Sequence, residues 1–192
     1  MSAMAVEMPG YPMPLMPAER EWTVQDLESL PDDGLRYELI DGSLLVTPAP
    51  LPSHQASVVG LVYMLRTACP ADLQVFVAPI DFQPSPRMSL QPDVLVTRRS
   101  AVGRKNIVEA PLLVVEVLSP TTKRRDQTLK RSVYEECGVT SYWLFDPGAP
   151  SLVVCELGGG HYLETVKAVG AEEVHVDLPY PVRLCPAELA KG

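Results

Sequence analysis

The chain has 192 residues, a formal net charge of −8, 46% apolar residues and 21% charged ones. That length suits one domain with a full core, and the acidic balance argues against a general nucleic-acid binder. The four cysteines (Cys69, Cys137, Cys155 and Cys185) form no C-x-x-C pair, which argues against a zinc site or a disulfide framework and fits a reducing cytoplasm.

Residues 1–20 are rich in Met and Pro and lack a basic start followed by an apolar core. They read as a disordered tail, not a secretory signal. Residues 21–192 read as a single domain. No apolar run approaches the roughly 18 residues a membrane span needs. Thr23, with Asp26 three residues on, predicts a capped helix through Leu30. Arg36–Ile40, then Asp41-Gly42, then Ser43–Thr47 predicts a β-hairpin, because Asp-Gly supplies the positive φ angles of a two-residue turn. Ser53 is the expected cap of a helix from His54 to Ala68, with Val58, Leu61, Val62 and Leu65 as its apolar stripe.

Leu73–Val77 predicts a strand, which Ile80-Asp81-Phe82 would extend past Pro79. A proline-rich loop from Pro84 to Pro92 leads to Val94-Leu95-Val96, and Leu112–Leu118 forms a longer apolar run. Both runs read as buried strands; residues 98–110 between them read as exposed. A turn at Ser119–Thr122 opens a helix ending near Cys137, with Gly138 as its C-cap. Tyr142–Phe145 predicts a buried strand ending at an Asp146 turn cap. Ser151–Leu157 and Tyr162–Val166 predict a hairpin about Gly158-Gly159-Gly160. Val174–Leu178 would add an edge strand, and the tail from Pro179 reads as peripheral.

Charge is unevenly placed. From Arg98 to Arg131 there are nine basic residues and three acidic ones, net +6, on an otherwise acidic chain. Such a strip steers a polyanion to one face. Lys123, Arg124 and Arg125 crowd the start of the predicted helix, where the dipole is already positive. A bound phosphate would resolve that conflict; a solvated turn is the alternative.

Two carboxylates stand out. Glu116 lies inside Leu112–Leu118, and Asp93 opens the Val94 run. A buried ionised group costs several kcal/mol unless it is paired or bound to metal. If the two strands are neighbours, both carboxylates converge, and a divalent cation with oxygen ligands, Mg²⁺ or Mn²⁺, satisfies both. Taken singly, Glu116 could pair with an arginine and Asp93 could serve a strand start.

Pro92-Asp93 followed by Glu116-Val117-Leu118 resembles the PD-(D/E)XK nuclease signature. The wider pattern resembles the Uma family of putative restriction endonucleases. It comprises Arg36–Gly42, Pro50–His54, Gln91–Val94, Glu116–Pro120, Asp126…Lys130…Tyr134, Gly138-Val139 and Tyr142–Pro147. The resemblance implies an α/β fold with a restriction-endonuclease-like core: a mixed β-sheet flanked by helices, here with extra β-hairpins. It also implies metal-assisted hydrolysis of DNA phosphodiesters, with Asp93 and Glu116 as metal ligands on adjacent strands and Glu38 joining them. Cutting two strands needs two sites, which would suit a homodimer.

Leu118 stands where the signature carries lysine. The family pattern implies that the basic role has moved to Lys130, on a helix face shared with Asp126 and Tyr134; Lys123 is the runner-up. The bland alternative is an Asp126–Lys130 pair at i, i+4. His54 and Asp81 are further candidates to line the site. Gln91 could bind phosphate or hold Asp93, and Arg124 and Arg125 could contact the DNA backbone. A second departure, Ser141 in place of a frequent Glu, is expected to affect the surface. The leading expectation is a Mg²⁺-dependent endonuclease. Its rivals are a nuclease-like module that binds nucleic acid without cutting, and an assembly protein whose carboxylates are merely paired. A lysine or arginine on Glu116, with no metal binding, would mark the last.

Overall fold

The computed structural model describes residues 21–119 and 126–191. The chain order is α1 (Val24–Leu27), β1 (Arg36–Ile40), β2 (Ser43–Thr47), α2 (Pro52–Ala68), β3 (Leu73–Val77), β4 (Phe82–Ser85), β5 (Met88–Leu90), β6 (Val94–Arg98) and β7 (Leu113–Val117). A π-helical turn (Asp126–Lys130) then runs into α3 (Arg131–Glu136). After it come β8 (Ser141–Asp146), β9 (Ser151–Gly158), β10 (His161–Val169), β11 (Val174–Val176), β12 (Val182–Leu184) and α4 (Pro186–Leu189).

The central sheet has the order β10-β9-β8-β7-β6-β3. β7 and β8 run parallel and the other neighbours antiparallel. A second sheet has the order β2-β1-β5-β4, and β11 pairs with β12 alone. The result is the mixed α/β architecture that the sequence implies.

Strand alternation sorts the central sheet into two faces. Val94, Val96, Leu113, Val115, Trp143 and Phe145 pack with Val58, Leu61 and Leu65 of α2 and with Val176, Val182 and Leu184. Leu95, Val114, Tyr142 and Leu144 pack instead with Ile40 and Leu45 of the second sheet and with Val133 and Tyr134 of α3. Cover on both faces explains the unbroken Val/Leu runs. Each fully buried Leu or Val contributes roughly 1.5–3 kcal/mol of transfer free energy.

Several local expectations hold. The β1–β2 hairpin turns at Asp41 (φ 46°) and Gly42 (φ 77°). Asp26 accepts hydrogen bonds from both the backbone and the hydroxyl of Thr23, although α1 stops at Leu27. Gly138 (φ 78°) closes α3 with Val139 N–H to Tyr134 O and its own N–H to Glu135 O, a Schellman arrangement. Asp146 accepts from the N–H groups of Gly148 and Ala149.

Others are corrected. α2 starts at Pro52, not after Ser53, since proline's fixed φ suits the first helical position and its missing N–H costs nothing there. Residues 80–82 do not extend β3. The Ala78–Pro79 bond is cis, and Phe82 begins β4 in the other sheet. The proline-rich stretch holds the β4–β5 hairpin. Within residues 98–110, Ile107 is fully buried against Phe82. Ser141 is buried rather than superficial, its hydroxyl accepting from the Trp143 indole. The C-terminal tail belongs to the core: Tyr180, Val182, Leu184 and Leu189 are buried, and the Tyr180 hydroxyl donates to Leu65 O at 2.8 Å. The start of the helix before α3 lies outside the described residues.

Candidate active site

Antiparallel pairing sets Val94 opposite Val115 and Leu95 opposite Val114. One step further along this register, Asp93 comes opposite Glu116. Both positions alternate with residues of the α2-facing set, so both side chains belong to the face covered by β1 and α3. Asp93 is 2% exposed and Glu116 2%. Glu38 is fully buried and approaches from β1. Thus Glu38 of β1, Glu116 of β7 and Asp93, the residue before β6, form part of one buried polar cluster in an apolar layer.

Each has specific partners. Asp93 Oδ1 accepts from the Arg36 guanidinium at 3.0 Å, and Oδ2 accepts from Val117 N–H at 2.9 Å. His54 Nε2 lies 3.1 Å from the same Oδ2; a carboxylate can only accept, so this nitrogen carries the proton. Lys130 Nζ is shared between Glu38 Oε1 at 2.9 Å and Glu116 Oε1 at 3.0 Å. The Tyr134 hydroxyl donates to Glu116 Oε1 at 2.9 Å. Gln91 N–H donates to Glu38 Oε1 at 2.9 Å, and Arg36 returns a bond to Gln91 O at 3.2 Å.

Burial works to raise the Asp93 pKa, but the His54 hydrogen bond and the Arg36 charge outweigh it and bring it down to about 2. Glu38 is likewise lowered: burial opposes, while Lys130, Arg36 and the Gln91 N–H prevail. Burial, reinforced by Glu116, pushes the Tyr134 phenol well up, so it stays a proton donor. Despite its burial, the Arg36 guanidinium is held charged by Asp93 and Glu38.

The predicted residues therefore separate into groups. Asp93, Glu116, Glu38, Lys130, His54, Tyr134 and Gln91 come together. Asp81 stands behind Gln91, accepting from its amide Nε2 at 3.0 Å. Lys123, Arg124 and Arg125 lie outside the described residues. Lys130 binds Glu38 and Glu116, so its amine is committed to the carboxylate centre. Arg36 is the residue that motif reading passed over. Its signal is the two-residue spacing to Glu38, which puts both on one face of β1.

Among the described residues, no three His, Cys, Asp or Glu side chains stand close enough to form a ready cation cage. Two features still suit a hard cation. The donors are carboxylate oxygens, the preferred ligands of Mg²⁺. Glu38 Oε2 is buried without a hydrogen-bond partner among the described residues, and a buried acceptor in that condition costs about 1–3 kcal/mol. Three carboxylates also face two fixed cations, Arg36 and Lys130, which leaves a formal charge of −1 when His54 is neutral.

The fold is of the restriction-endonuclease-like class. A family model described as "Putative restriction endonuclease", Uma2, matches residues 24–185, and the chain belongs to that family. Among solved structures, a putative nuclease belonging to DUF820 from Anabaena variabilis is similar, with a TM-score of 0.71 and 21% identity over 88% of this chain and 98% of that one. At that identity the likeness concerns the fold. No curated protein matches the chain. No helix among the described residues is long and apolar enough to cross a membrane.

Proposed function

We propose that the protein is a divalent-metal-dependent endonuclease that hydrolyses DNA phosphodiester bonds. The observation that carries this reading is the sharing of Lys130 between Glu38 and Glu116, with Glu38 Oε2 left unpartnered beside it. Asp93, Glu116 and Glu38 would hold Mg²⁺ or Mn²⁺. Bound there, the cation supplies Lewis-acid polarisation of a phosphoryl oxygen and lowers the pKa of a water.

The protein's own groups do the rest. Arg36, His54 and the Val117 N–H fix the Asp93 carboxylate in one orientation. Tyr134 and Lys130 do the same for Glu116. A preset arrangement of this kind costs no reorganisation when charge develops on the phosphate. Lys130 places positive charge at the centre, the role that Leu118 cannot fill from the signature position. One added divalent cation turns the local charge from −1 to +1, which matches a single phosphodiester. The basic strip of the sequence, which includes Lys123, Arg124 and Arg125, adds positive charge that draws a polyanion. Cleavage of both strands would need two such sites, which a homodimer supplies.

A second reading draws on the same contacts. Every carboxylate has a basic partner, as in a nuclease-like module that binds nucleic acid without cutting, or one in which the acids only stabilise the fold. A plasmid-cleavage assay with Mg²⁺ or Mn²⁺ separates them. The nuclease reading predicts metal-dependent nicking by the wild type and none by Asp93→Ala or Glu116→Ala. Equal behaviour of all three rejects it, and salt-sensitive binding without cleavage favours the binding module.

A further inference from the structure

A cleft of about 330 Å³ is lined in part by Gln91, whose backbone contacts Glu38 and Arg36 of the carboxylate centre. α1 and the chain after it contribute Leu27, Leu30 and Leu35, together with the carboxylates of Glu28 and Asp32. β4 contributes Gln83, the residues just before β4 and just after β5 contribute Asp81 and Gln91, and the turn before Ile107 contributes Asn106. These polar side chains form a connected set. Asn106 Nδ2 donates to Gln83 Oε1, and Gln83 Nε2 donates to Ser89 Oγ at 3.2 Å. Ser89 Oγ donates to Asp81 Oδ1 at 3.3 Å, and Gln91 Nε2 donates to the same oxygen at 3.0 Å. The backbone beneath is fixed by Gln83 N–H to Ile107 O and Ile107 N–H to Asp81 O, both 2.8 Å.

Asp81 decides how Gln91 presents itself. An ionised carboxylate can only accept, so the amide nitrogen of Gln91 turns to it and the amide oxygen turns away. Gln91 also touches the centre through its backbone, to Glu38 and Arg36. The cleft is therefore joined to the centre through Gln91, two residues before Asp93. Apolar surface beside several side-chain amides is the chemistry that receives a nucleobase: the π-face lies against apolar groups and the edge meets Gln or Asn. The volume is at the lower end for small-molecule pockets, enough for one base.

We propose that this cleft takes an unstacked nucleobase adjacent to the scissile phosphate, with Gln83, Gln91 and Asn106 reading its edge. The proposal rests on the nuclease reading and adds to it a source of base preference. Flipping a base out of a duplex costs a few kcal/mol, so single-stranded or mismatched DNA is the favoured substrate.

The test maps cut positions on a randomised DNA library with Mn²⁺, for the wild type and for Asn106→Ala and Gln83→Ala. The expected result is a base preference at one position beside the cut, falling by roughly 5- to 150-fold in the variants, the range for one well-made edge contact. In parallel, binding of wild type and Glu116→Gln is measured on oligonucleotides that each carry a single abasic site. A sharp loss at one position supports the pocket even where no cleavage occurs, which would overturn the nuclease reading alone. Uniform binding across abasic positions, or variants that keep the wild-type cut preference, overturns the pocket. Circular dichroism and urea melting confirm that the variants are folded.

Discussion

Lys130 Nζ lies 2.9 Å from Glu38 Oε1, joining the helix after β7 to the N-terminal hairpin at the bottom of a buried layer. The same ammonium reaches Glu116 at 3.0 Å. Removing one partner of a buried ion pair leaves the other uncompensated, at a cost of about 3–5 kcal/mol. Lys130→Met is expected to lose that much stability in urea denaturation. Because losing that positive charge makes the carboxylate centre more negative, Mn²⁺ should raise the melting temperature of the variant more than that of the wild type. Equal shifts would separate Lys130 from any cation site.

Asp93 makes stability depend on pH in a defined direction. Its folded pKa of about 2 lies below the ordinary value of 3.8, so the unfolded chain binds more protons and stability rises with pH across that range. The contribution, on the order of 2 kcal/mol, is complete above the unfolded value and disappears as pH falls through about 2. Urea midpoints measured from pH 2 to 6 should show this slope, and Asp93→Asn should flatten it.

Gly138 is expected to resist substitution for a backbone reason. Its φ is 78° and a Cβ there would meet nothing within 4 Å. Gly138→Ala should therefore lose only conformational energy, about 1–2 kcal/mol, and Gly138→Asn less. Thermal melts of the two variants decide the matter.

Much of the centre was legible in the chain because burial and charge conflict there. Asp93 and Glu116 are acids in Val/Leu runs, and the register that unites them follows from strand alternation. The Asp41-Gly42 hairpin was equally plain. Lys130 was legible only through the family pattern. Helical spacing alone linked it to Asp126 and Tyr134, and the fold adds contacts from its amine to carboxylates on two strands. The β4–β5 hairpin was hidden by Pro84 and Pro86, since proline ordinarily demotes a strand. Arg36 entered only as the first residue of a family motif, and the fold sets it against Asp93.

The C-terminal segment shows the same limit. Val182-Arg183-Leu184 is too short to announce itself as a strand, yet Val182 and Leu184 pack against α2. Tyr180→Ala should cost about 3–5 kcal/mol, as for other buried aromatics. Tyr180→Phe should cost about 1 kcal/mol, for the hydrogen bond to Leu65 O. Denaturation curves of both variants measure the difference.

In the proposed nuclease, Glu38, Asp93 and Glu116 act together on one cation. Calorimetric titration of Mn²⁺ into the folded protein tests it most directly. One site is predicted for the wild type, weakened at least about tenfold in both Glu38→Gln and Glu116→Gln, since each removes a ligand charge. No binding to the wild type, or the same affinity in all three proteins, would contradict it.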